Sequence, residues 1–304
     1  MSEIKLFSLK DNTASEIQSH TILLEKSLQI IIEKNLDTIL GVQFLQSEYS
    51  TGKTHAGRID TLGIDENGSP VIIEYKRAIN ENVINQGLYY LDWLLDHRGE
   101  FTLLVMEVAG KEKAEEIEWN GPRLICIAAD YTKYDEHAVK QINRNIDLVR
   151  YRKFGSDLLA LELVHRTSAT DNGNISGERS ARLTKKSVEK TLQQSLSEMD
   201  TDIQDIYEQL RSYLLALGDD VQEKETKLYL AYRKIKNFTC IQFQKKSLIL
   251  YLKLNPDSVP LEEGFSRDVR FIGHWATGDL EITIRNSNDL NRALPLVQRS
   301  YDEG

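Results

Sequence analysis

GRIDTLGIDENGSPVIIEYKR, residues 57–77, has the pattern of a β-hairpin. Apolar and polar residues alternate from Arg58 to Ile64, as they do in a half-buried strand. The segment DENG that follows contains Asn-Gly, which supplies the positive φ angles of a tight hairpin turn. Residues 70–75 are rich in β-branched side chains and predict the return strand. The hairpin would therefore present its charged residues on defined faces of a sheet.

Two carboxylates and a lysine are expected to meet on one face of this hairpin. Glu74 and Lys76 are two residues apart on one strand and so point to the same side, which Asp60 can reach from the partner strand. Two close carboxylates disfavour joint ionisation, and a divalent cation with hard oxygen ligands relieves this. Such a cation also neutralises charge on a phosphate oxygen, and a nearby lysine stabilises developing negative charge. The pattern predicts a Mg²⁺ or Mn²⁺ site on Asp60 and Glu74 for phosphodiester hydrolysis.

Asp60 followed by Glu74-Tyr75-Lys76 resembles the PD-(D/E)XK nuclease superfamily, although Ile59 stands where the superfamily name has proline. Residues 57–77 together, and the later segment NIDLVRYR at 145–152, resemble the narrower NucS-related group. The resemblance covers residues 15–165 and implies a mixed sheet flanked by helices and metal-dependent cleavage of nucleic acid. The competing interpretation is a chance Glu-x-Lys forming an exposed ion pair of little energetic value.

A helix is predicted over residues 80–97, which carry a broad apolar surface at helical spacing. Gln86 and Tyr90 are four apart and share one face of it. They resemble the Q-x-x-x-Y motif of the RecB-like branch, and this resemblance implies that Gln86 points at the active site. Alternatively, Gln86 is an ordinary polar residue of an amphipathic helix.

A second helix is predicted before the hairpin, over residues 15–40. Related nucleases carry a fourth acidic residue on this helix, and Glu25 is the preferred candidate, with Glu33 as the competitor. Glu48, at the end of the following strand, is a further candidate. Glu25 and Glu33 could equally lie on the solvated face of the helix.

Composition indicates a globular protein rather than a membrane or secreted one. The 304 residues predict two domains, and 40% of them are hydrophobic and 28% charged. No apolar run approaches the length of a transmembrane helix, and the N-terminus lacks the pattern of a signal peptide. Cys126 and Cys240 are isolated, which argues against a zinc site. We therefore expect a cytoplasmic protein with no membrane association.

The remainder of the N-terminal half is predicted to alternate between strands and helices. Strands are expected at residues 41–49, 101–108, 123–129, 146–154 and 158–163, and a helix at 132–143. The segments 101–108 and 123–129 contain continuous apolar runs, as central buried strands do.

The formal charge of −9 argues against a uniformly basic nucleic-acid surface. Positive charge is concentrated between residues 140 and 190, and phosphate contacts dominate nucleic-acid affinity. The predicted contact residues are Arg150, Arg152, Lys153, Arg179, Arg182, Lys185 and Lys186. The alternative is an ordinary solvated linker, because residues 166–189 lack apolar periodicity.

Residues 190–304 are predicted to form a small α+β domain after the linker. Helices are expected at 188–217, broken near 200–202, and at 288–301, with strands at 238–244, 247–254, 269–272 and 280–284. IGHWATGDLEI, residues 272–282, resembles the DUF5655 family. His274 and Asp279 have no accompanying nucleophile, so a packed turn is preferred over a catalytic pair. Basic and aromatic residues interleave over 227–238, which suits single-strand stacking or, with greater weight, a strand with two different faces.

The sequence therefore predicts an α/β protein with a PD-(D/E)XK nuclease domain at 1–165, a linker at 166–189 and an accessory domain at 190–304. The expected activity is Mg²⁺- or Mn²⁺-dependent cleavage of nucleic acid, with DNA preferred over RNA. The alternatives are an inactive nucleic-acid-binding or protein-interaction module and an RNA-processing endonuclease. A homodimer and a protein partner for the C-terminal domain are further options.

Overall fold

A computed structural model describes residues 4–20, 25–52, 56–76, 83–169, 192–273 and 276–304. The chain divides into two compact units, residues 1–173 and 174–304, which are described separately. The predicted linker falls largely outside the described residues, so the proposed domain limits remain a prediction. No helix in the described ranges is long and apolar enough to cross a membrane.

Unit 1 alternates strands and helices, as expected for the predicted α/β class. Its strands are β1 (Leu6–Lys10), β2 (Thr13–Ile17), β3 (Ser19–His20), β4 (Val42–Ser50), β5 (Arg58–Asp65), β6 (Pro70–Lys76), β7 (Arg123–Ala128), β8 (Asn145–Phe154) and β9 (Leu158–Thr167). Its helices are α1 (Glu25–Lys34), α2 (Leu36–Leu40), α3 (Val83–Asp96), α4 (Arg98–Ala109), α5 (Lys111–Glu115) and α6 (Lys133–Lys140).

A mixed sheet forms the centre of unit 1, in the order β3-β8-β7-β6-β5-β4, with β9 paired to β8. Strands β6, β7 and β8 are parallel to one another, whereas β4, β5 and β6 form an antiparallel meander. Strand β7 is buried along its whole length, which is why its sequence is apolar after Arg123. The α/β class and the predicted 57–77 hairpin are confirmed.

Helix α3 packs on β6 and β7, close to the end of the hairpin. Gly87 permits this approach, because a Cβ there would lie 2.5 Å from the side chain of Leu124 on β7. Helix α1 packs on β5 and β6 as well. The hairpin strands that carry Asp60 and Glu74 are thus held by two helices and by neighbouring strands.

Two predictions for unit 1 need correction, one of them entirely and one in part. Residues 101–108 belong to helix α4, where Phe101 and Val105 are buried one turn apart while Leu103 and Met106 are exposed. A continuous apolar run does not distinguish a strand from a helix, and here burial follows the helical period. The helix predicted from residue 15 begins instead at Glu25, because residues 13–17 and 19–20 pair as strands with β1 and β8.

In the part of unit 2 that the structure describes, six strands form a sheet in the order β10-β11-β12-β13-β15-β14, accompanied by three helices. The strands are β10 (Gln222–Glu225), β11 (Leu230–Arg233), β12 (Asn237–Gln244), β13 (Ser247–Leu252), β14 (Ser266–Asp268) and β15 (Leu280–Ile284). The helices are α7 (Leu192–Ser197), α8 (Thr201–Ala216) and α9 (Ser287–Glu303), and a short 3₁₀ turn covers Pro256–Ser258. Asn286 caps α9 by accepting from the Asp289 N–H.

The strand predicted at 269–272 is wrong, since the ladder partner of β15 is residues 266–268. Val269 is buried without extending that ladder, which explains its apolar character. The helix break near residue 200 is confirmed, because α7 ends at Ser197 and α8 begins at Thr201.

Candidate active site

Asp60 and Glu74 face each other across strands β5 and β6. The register pairs Thr61 with Ile73, which places Asp60 next to Glu74 in the antiparallel ladder. The Asp60 N–H donates to Glu74 Oε1 at 3.1 Å, and the Tyr75 N–H donates to Asp60 Oδ2 at 3.1 Å. Each carboxylate thus accepts a main-chain hydrogen bond from the strand that carries the other.

The environment of this pair disfavours two negative charges. Glu74 is 0% exposed, and its Oε2 atom has no hydrogen-bond partner among the described residues. Burial first, and then repulsion from Asp60, raise the pKa of Glu74 to about 9. Burial also raises the pKa of Asp60, against the opposing effects of the Tyr75 N–H and the Lys76 charge. A proton or a cation must therefore compensate the charge of the pair.

Lys76 ends strand β6 beside this pair and is linked to the first helix. Its Nζ lies 3.7 Å from Glu25 Oε2, and the Lys76 side chain is 18% exposed. Glu25 is the first residue of α1 and keeps 38% of its side chain exposed. Of the two glutamates proposed for this helix, Glu25 is therefore the one that contacts Lys76.

Glu33, the competing candidate, belongs to a different group of hydrogen bonds. It accepts from Thr61 Oγ1 at 2.6 Å and from Gln29 Nε2 at 2.9 Å, and Thr61 Oγ1 is 3.2 Å from Tyr75 Oη. Thr61 and Tyr75 alternate with Asp60 and Glu74 along their strands, so Glu33 is bonded to the opposite face of the sheet.

Glu48, the third candidate, is occupied by two cations. Its carboxylate lies 2.6 Å from Lys26 Nζ and 2.5 Å from Arg58 Nε. The hydrogen bond from Lys26, with the charges of Lys26 and Arg58, holds the pKa of Glu48 below its ordinary value. Glu48 is therefore an ionised anchor for these two cations in the described structure.

Gln86 is positioned at the start of β5 through Tyr90. Its Nε2 donates to Tyr90 Oη at 3.3 Å, and the same oxygen accepts from the Arg58 N–H at 3.1 Å. Gly57 makes room for the ring, because a Cβ there would lie 2.5 Å from Tyr90 Cε1. Gln86 and Tyr90 thus share a helix face, as expected, and the hydrogen bond of Gln86 goes to Tyr90.

The donors at the site suit a hard divalent cation. Among the described residues, no group of three or more His, Cys, Asp or Glu side chains is arranged to hold a metal. Asp60 and Glu74 provide two carboxylates, and the buried Glu74 Oε2 has no other partner there. One or two carboxylates with water completing the shell is the arrangement that Mg²⁺ adopts in proteins. The residues present therefore fit such an ion.

The basic contact residues predicted on β8 need correction at Arg150. The Arg150 side chain is 5% exposed and makes ion pairs with Asp130 at 2.7 Å and Glu162 at 2.8 Å. Its charge is already neutralised by these two half-buried carboxylates, so it is not an exposed phosphate contact. Arg152 and Lys153 are half-buried on the same strand. Arg179, Arg182, Lys185 and Lys186 lie outside the described residues.

Three residues near the pair were not singled out from the sequence. Gln29 is 4% exposed and donates to the Asp60 carbonyl at 2.7 Å, which ties α1 to β5. Lys26 and Arg58 contact Glu48 as described above. The sequence places Lys26 and Gln29 three residues apart, which predicts that they share a face of the helix. Nothing in the local sequence predicts that Gln29 is buried.

Two features of unit 2 had a functional alternative in the sequence: the pair His274 and Asp279, and the basic and aromatic segment 227–238. Asp279 uses its main chain to bond Leu252 and Val269, and His274 lies outside the described residues. Tyr229, just before β11, and Tyr232, on β11, are 6% and 0% exposed, so they belong to hydrophobic cores rather than to a stacking surface.

Comparison with known families identifies the second unit. Residues 192–304 match DUF5655, described as a domain of unknown function. The C-terminal unit carries a DUF5655 domain. This confirms the resemblance inferred from residues 272–282. The catalytic residues proposed in unit 1 stay a prediction.

The whole chain is similar to an uncharacterized protein of Haemophilus influenzae, with 28% identity over 308 residues, covering 99% of this chain and 100% of that one. A solved structure titled as a repair endonuclease from Pyrococcus abyssi matches with 19% identity and a TM-score of 0.28, over 42% of this chain and 47% of that one. A structure titled EndoMS-dsDNA2 complex matches with 19% identity and a TM-score of 0.24, over 42% and 46%. The chain spans less than half the length of these solved structures.

Proposed function

We propose that unit 1 is a divalent-cation-dependent nuclease that hydrolyses phosphodiester bonds, with DNA as the preferred substrate. The observation that carries the proposal is the Asp60–Glu74 pair. Two carboxylates are held together by reciprocal main-chain bonds, and one of them is fully buried with an oxygen that has no hydrogen-bond partner among the described residues. Such a pair is unfavourable in an ordinary structural role, but it suits the binding of a hard cation.

Asp60 and Glu74 would hold the cation through carboxylate oxygens. When bound, a divalent cation supplies charge neutralisation at a phosphate oxygen and favours deprotonation of an attacking water. The main-chain bonds from Asp60 and Tyr75 fix the two carboxylates in advance, so little reorganisation is needed when the substrate arrives.

Lys76 is the residue of this chain that would act on the reacting phosphate. Its ammonium group can donate to a phosphate oxygen and so stabilise the negative charge that develops there. Glu25, 3.7 Å away, would restrict where that group points while leaving other donor hydrogens available. Gln86, held through Tyr90, would position the start of β5 rather than touch the phosphate directly.

The test is cleavage of labelled DNA and RNA substrates in Mg²⁺, Mn²⁺ or EDTA. Wild type should cut DNA only with a divalent cation, and Asp60→Asn, Glu74→Gln and Lys76→Met should each lose about 10²-fold or more in rate. Glu112→Gln and Lys111→Met are the matched controls, because both residues are exposed on α5. Circular dichroism should show that each variant keeps its fold.

The outcomes separate the possible activities. Preferential cutting of RNA would replace the substrate class while keeping the site. Nucleic-acid binding without cleavage under any condition would support an inactive binding module. Wild-type rates in all three site variants would contradict the assignment of the site.

A further inference from the structure

Lys26 and Arg58 form an exposed pair of cations beside the carboxylate pair. Lys26 belongs to α1 and follows Glu25, while Arg58 begins β5 two residues before Asp60. Their side chains are 53% and 68% exposed. Both contact the single carboxylate of Glu48, which is 29% exposed, so the trio keeps one net positive charge.

The position of Glu48 in the sheet brings this trio to the site. Ser47 pairs with Thr61 and Tyr49 pairs with Ile59, so Glu48 stands beside Asp60 in the β4–β5 ladder. The backbone of Glu48 has φ +54°, in the left-handed region that residues other than glycine rarely adopt. A strained backbone of this kind persists where surrounding contacts fix it, and residues with such a backbone cluster at active and ligand-binding sites. Here the ion pairs to Lys26 and Arg58 are contacts of that kind.

Three arginines of unit 1 that already pair with buried or half-buried carboxylates are less suited to bind an external anion. The side chains of Arg123, Arg150 and Arg166 are only 3–6% exposed, and each is paired with at least one carboxylate. Arg58 differs because its guanidinium is mostly exposed and shares one carboxylate with a second cation. A guanidinium can bind a phosphate through two parallel N–H donors.

We propose that Lys26 and Arg58, held in place by Glu48, bind backbone phosphates of a nucleic acid next to the Asp60–Glu74 pair. The inference rests on the proposed function for its choice of substrate, and it assigns the substrate contact to β5 and α1. This differs from the contact surface predicted from the sequence between residues 140 and 190. Lys26 and Arg58 would position the strand, while Lys76 would act on the phosphate that is cleaved.

The test is the salt dependence of nucleic-acid binding in EDTA, where no cleavage takes place. Fluorescent duplex DNA is titrated with the full chain from about 50 to 200 mM salt, and duplex RNA of the same sequence is titrated alongside. Removing two phosphate contacts with Lys26→Gln and Arg58→Gln together should reduce the slope of log K against log salt by about 1.8 for B-DNA. The duplex that wild type binds more tightly, and that shows the larger loss of affinity in the double variant, is the nucleic acid that these two residues contact.

Two control proteins make the result specific. The Lys5→Gln/Lys111→Gln protein loses two positive charges, as the Lys26→Gln/Arg58→Gln protein does. Both control lysines are exposed, and each pairs with one carboxylate. This control protein should keep the wild-type slope. Lys26→Arg with Arg58→Lys keeps both charges and should also keep most of the slope, which separates charge from folding.

An unchanged slope in the Lys26→Gln/Arg58→Gln protein would overturn the inference, and so would a wild-type protein that binds neither duplex. A reduced slope in a protein that never cleaves would keep the inference and reject the nuclease proposal. Cleavage by wild type, together with an unchanged slope in the Lys26→Gln/Arg58→Gln protein, would support the nuclease proposal and reject the inference.

Discussion

Replacing Glu74 with glutamine should make the metal-free protein more stable at neutral pH while removing its cleavage activity. The folded-state pKa of Glu74 is raised from 4.5 to about 9, so between these values the folded state holds one more proton than the unfolded state. The free energy of unfolding therefore falls as pH rises through this window. This stability is fully present below the unfolded pKa and is lost as pH approaches the folded value.

The magnitude follows from the slope for one proton, roughly 1.4 kcal/mol per pH unit. From about pH 5 to pH 7 wild type should lose about 3 kcal/mol that Glu74→Gln does not lose. Burial also raises the pKa of Asp60, but this contribution is present in wild type and in Glu74→Gln alike, so it does not change the difference between them. Glutamine has nearly the same shape as glutamate and carries no charge, so the main-chain hydrogen bond from Asp60 can be kept.

The assay is urea unfolding in EDTA across this pH range. A Trp275→Phe background restricts tryptophan fluorescence to Trp93 and Trp119, both in unit 1. The stability difference between Glu74→Gln and wild type should grow with pH, while Glu112→Gln should follow wild type. A difference that stays constant with pH, or that shrinks, would refute the reasoning about the buried carboxylate.

Three further predictions concern structure and binding. Asp147→Asn should lower the free energy of unfolding by about 3–5 kcal/mol in the same assay, because the buried Asp147 accepts hydrogen bonds from Arg123 and Arg166. Tyr90→Phe should lower the free energy of unfolding by about 1 kcal/mol, because the Arg58 N–H and the Gln86 amide lose their hydrogen-bond acceptor. An unchanged urea midpoint would contradict this. Neutralising the four basic residues that lie in sequence between β9 and α7 should reduce the slope of log K against log salt for DNA binding. The reduction should be roughly 0.7–0.9 for each phosphate that the variant no longer binds, and an unchanged slope would make that segment a passive tether. These residues are Arg179, Arg182, Lys185 and Lys186.

The hairpin could be predicted because its information is local. The alternation of β5, the Asn-Gly turn and the β-branched return strand are all contained in residues 57–77. The same strand periodicity and the turn together place Asp60 and Glu74 on the same face of two paired strands. The strand prediction for residues 101–108 was wrong because a continuous apolar run has no period that separates a strand from a helix. Leu103 and Met106 of α4 are exposed, and nothing in the local sequence indicates their exposure.

The surroundings of the carboxylate pair could not be predicted in the same way. The contact of Glu25 with Lys76 depends on how α1 packs, and the burial of Gln29 depends on its bond to the Asp60 carbonyl. The left-handed backbone of Glu48 has no local sequence cause such as glycine. The positive charge of Arg150 was visible in the sequence, but its neutralisation by Asp130 and Glu162 depends on tertiary structure.

The proposed function depends most directly on divalent-cation binding by Asp60 and Glu74. Electron paramagnetic resonance of Mn²⁺ measures this, because the spectrum of the free ion weakens as the ion binds protein. Wild type should bind one Mn²⁺ per chain, and Asp60→Asn with Glu74→Gln together should abolish that binding while Glu112→Gln retains it. Equal Mn²⁺ binding by wild type and the double variant, or no binding by wild type, would contradict a metal site on this carboxylate pair.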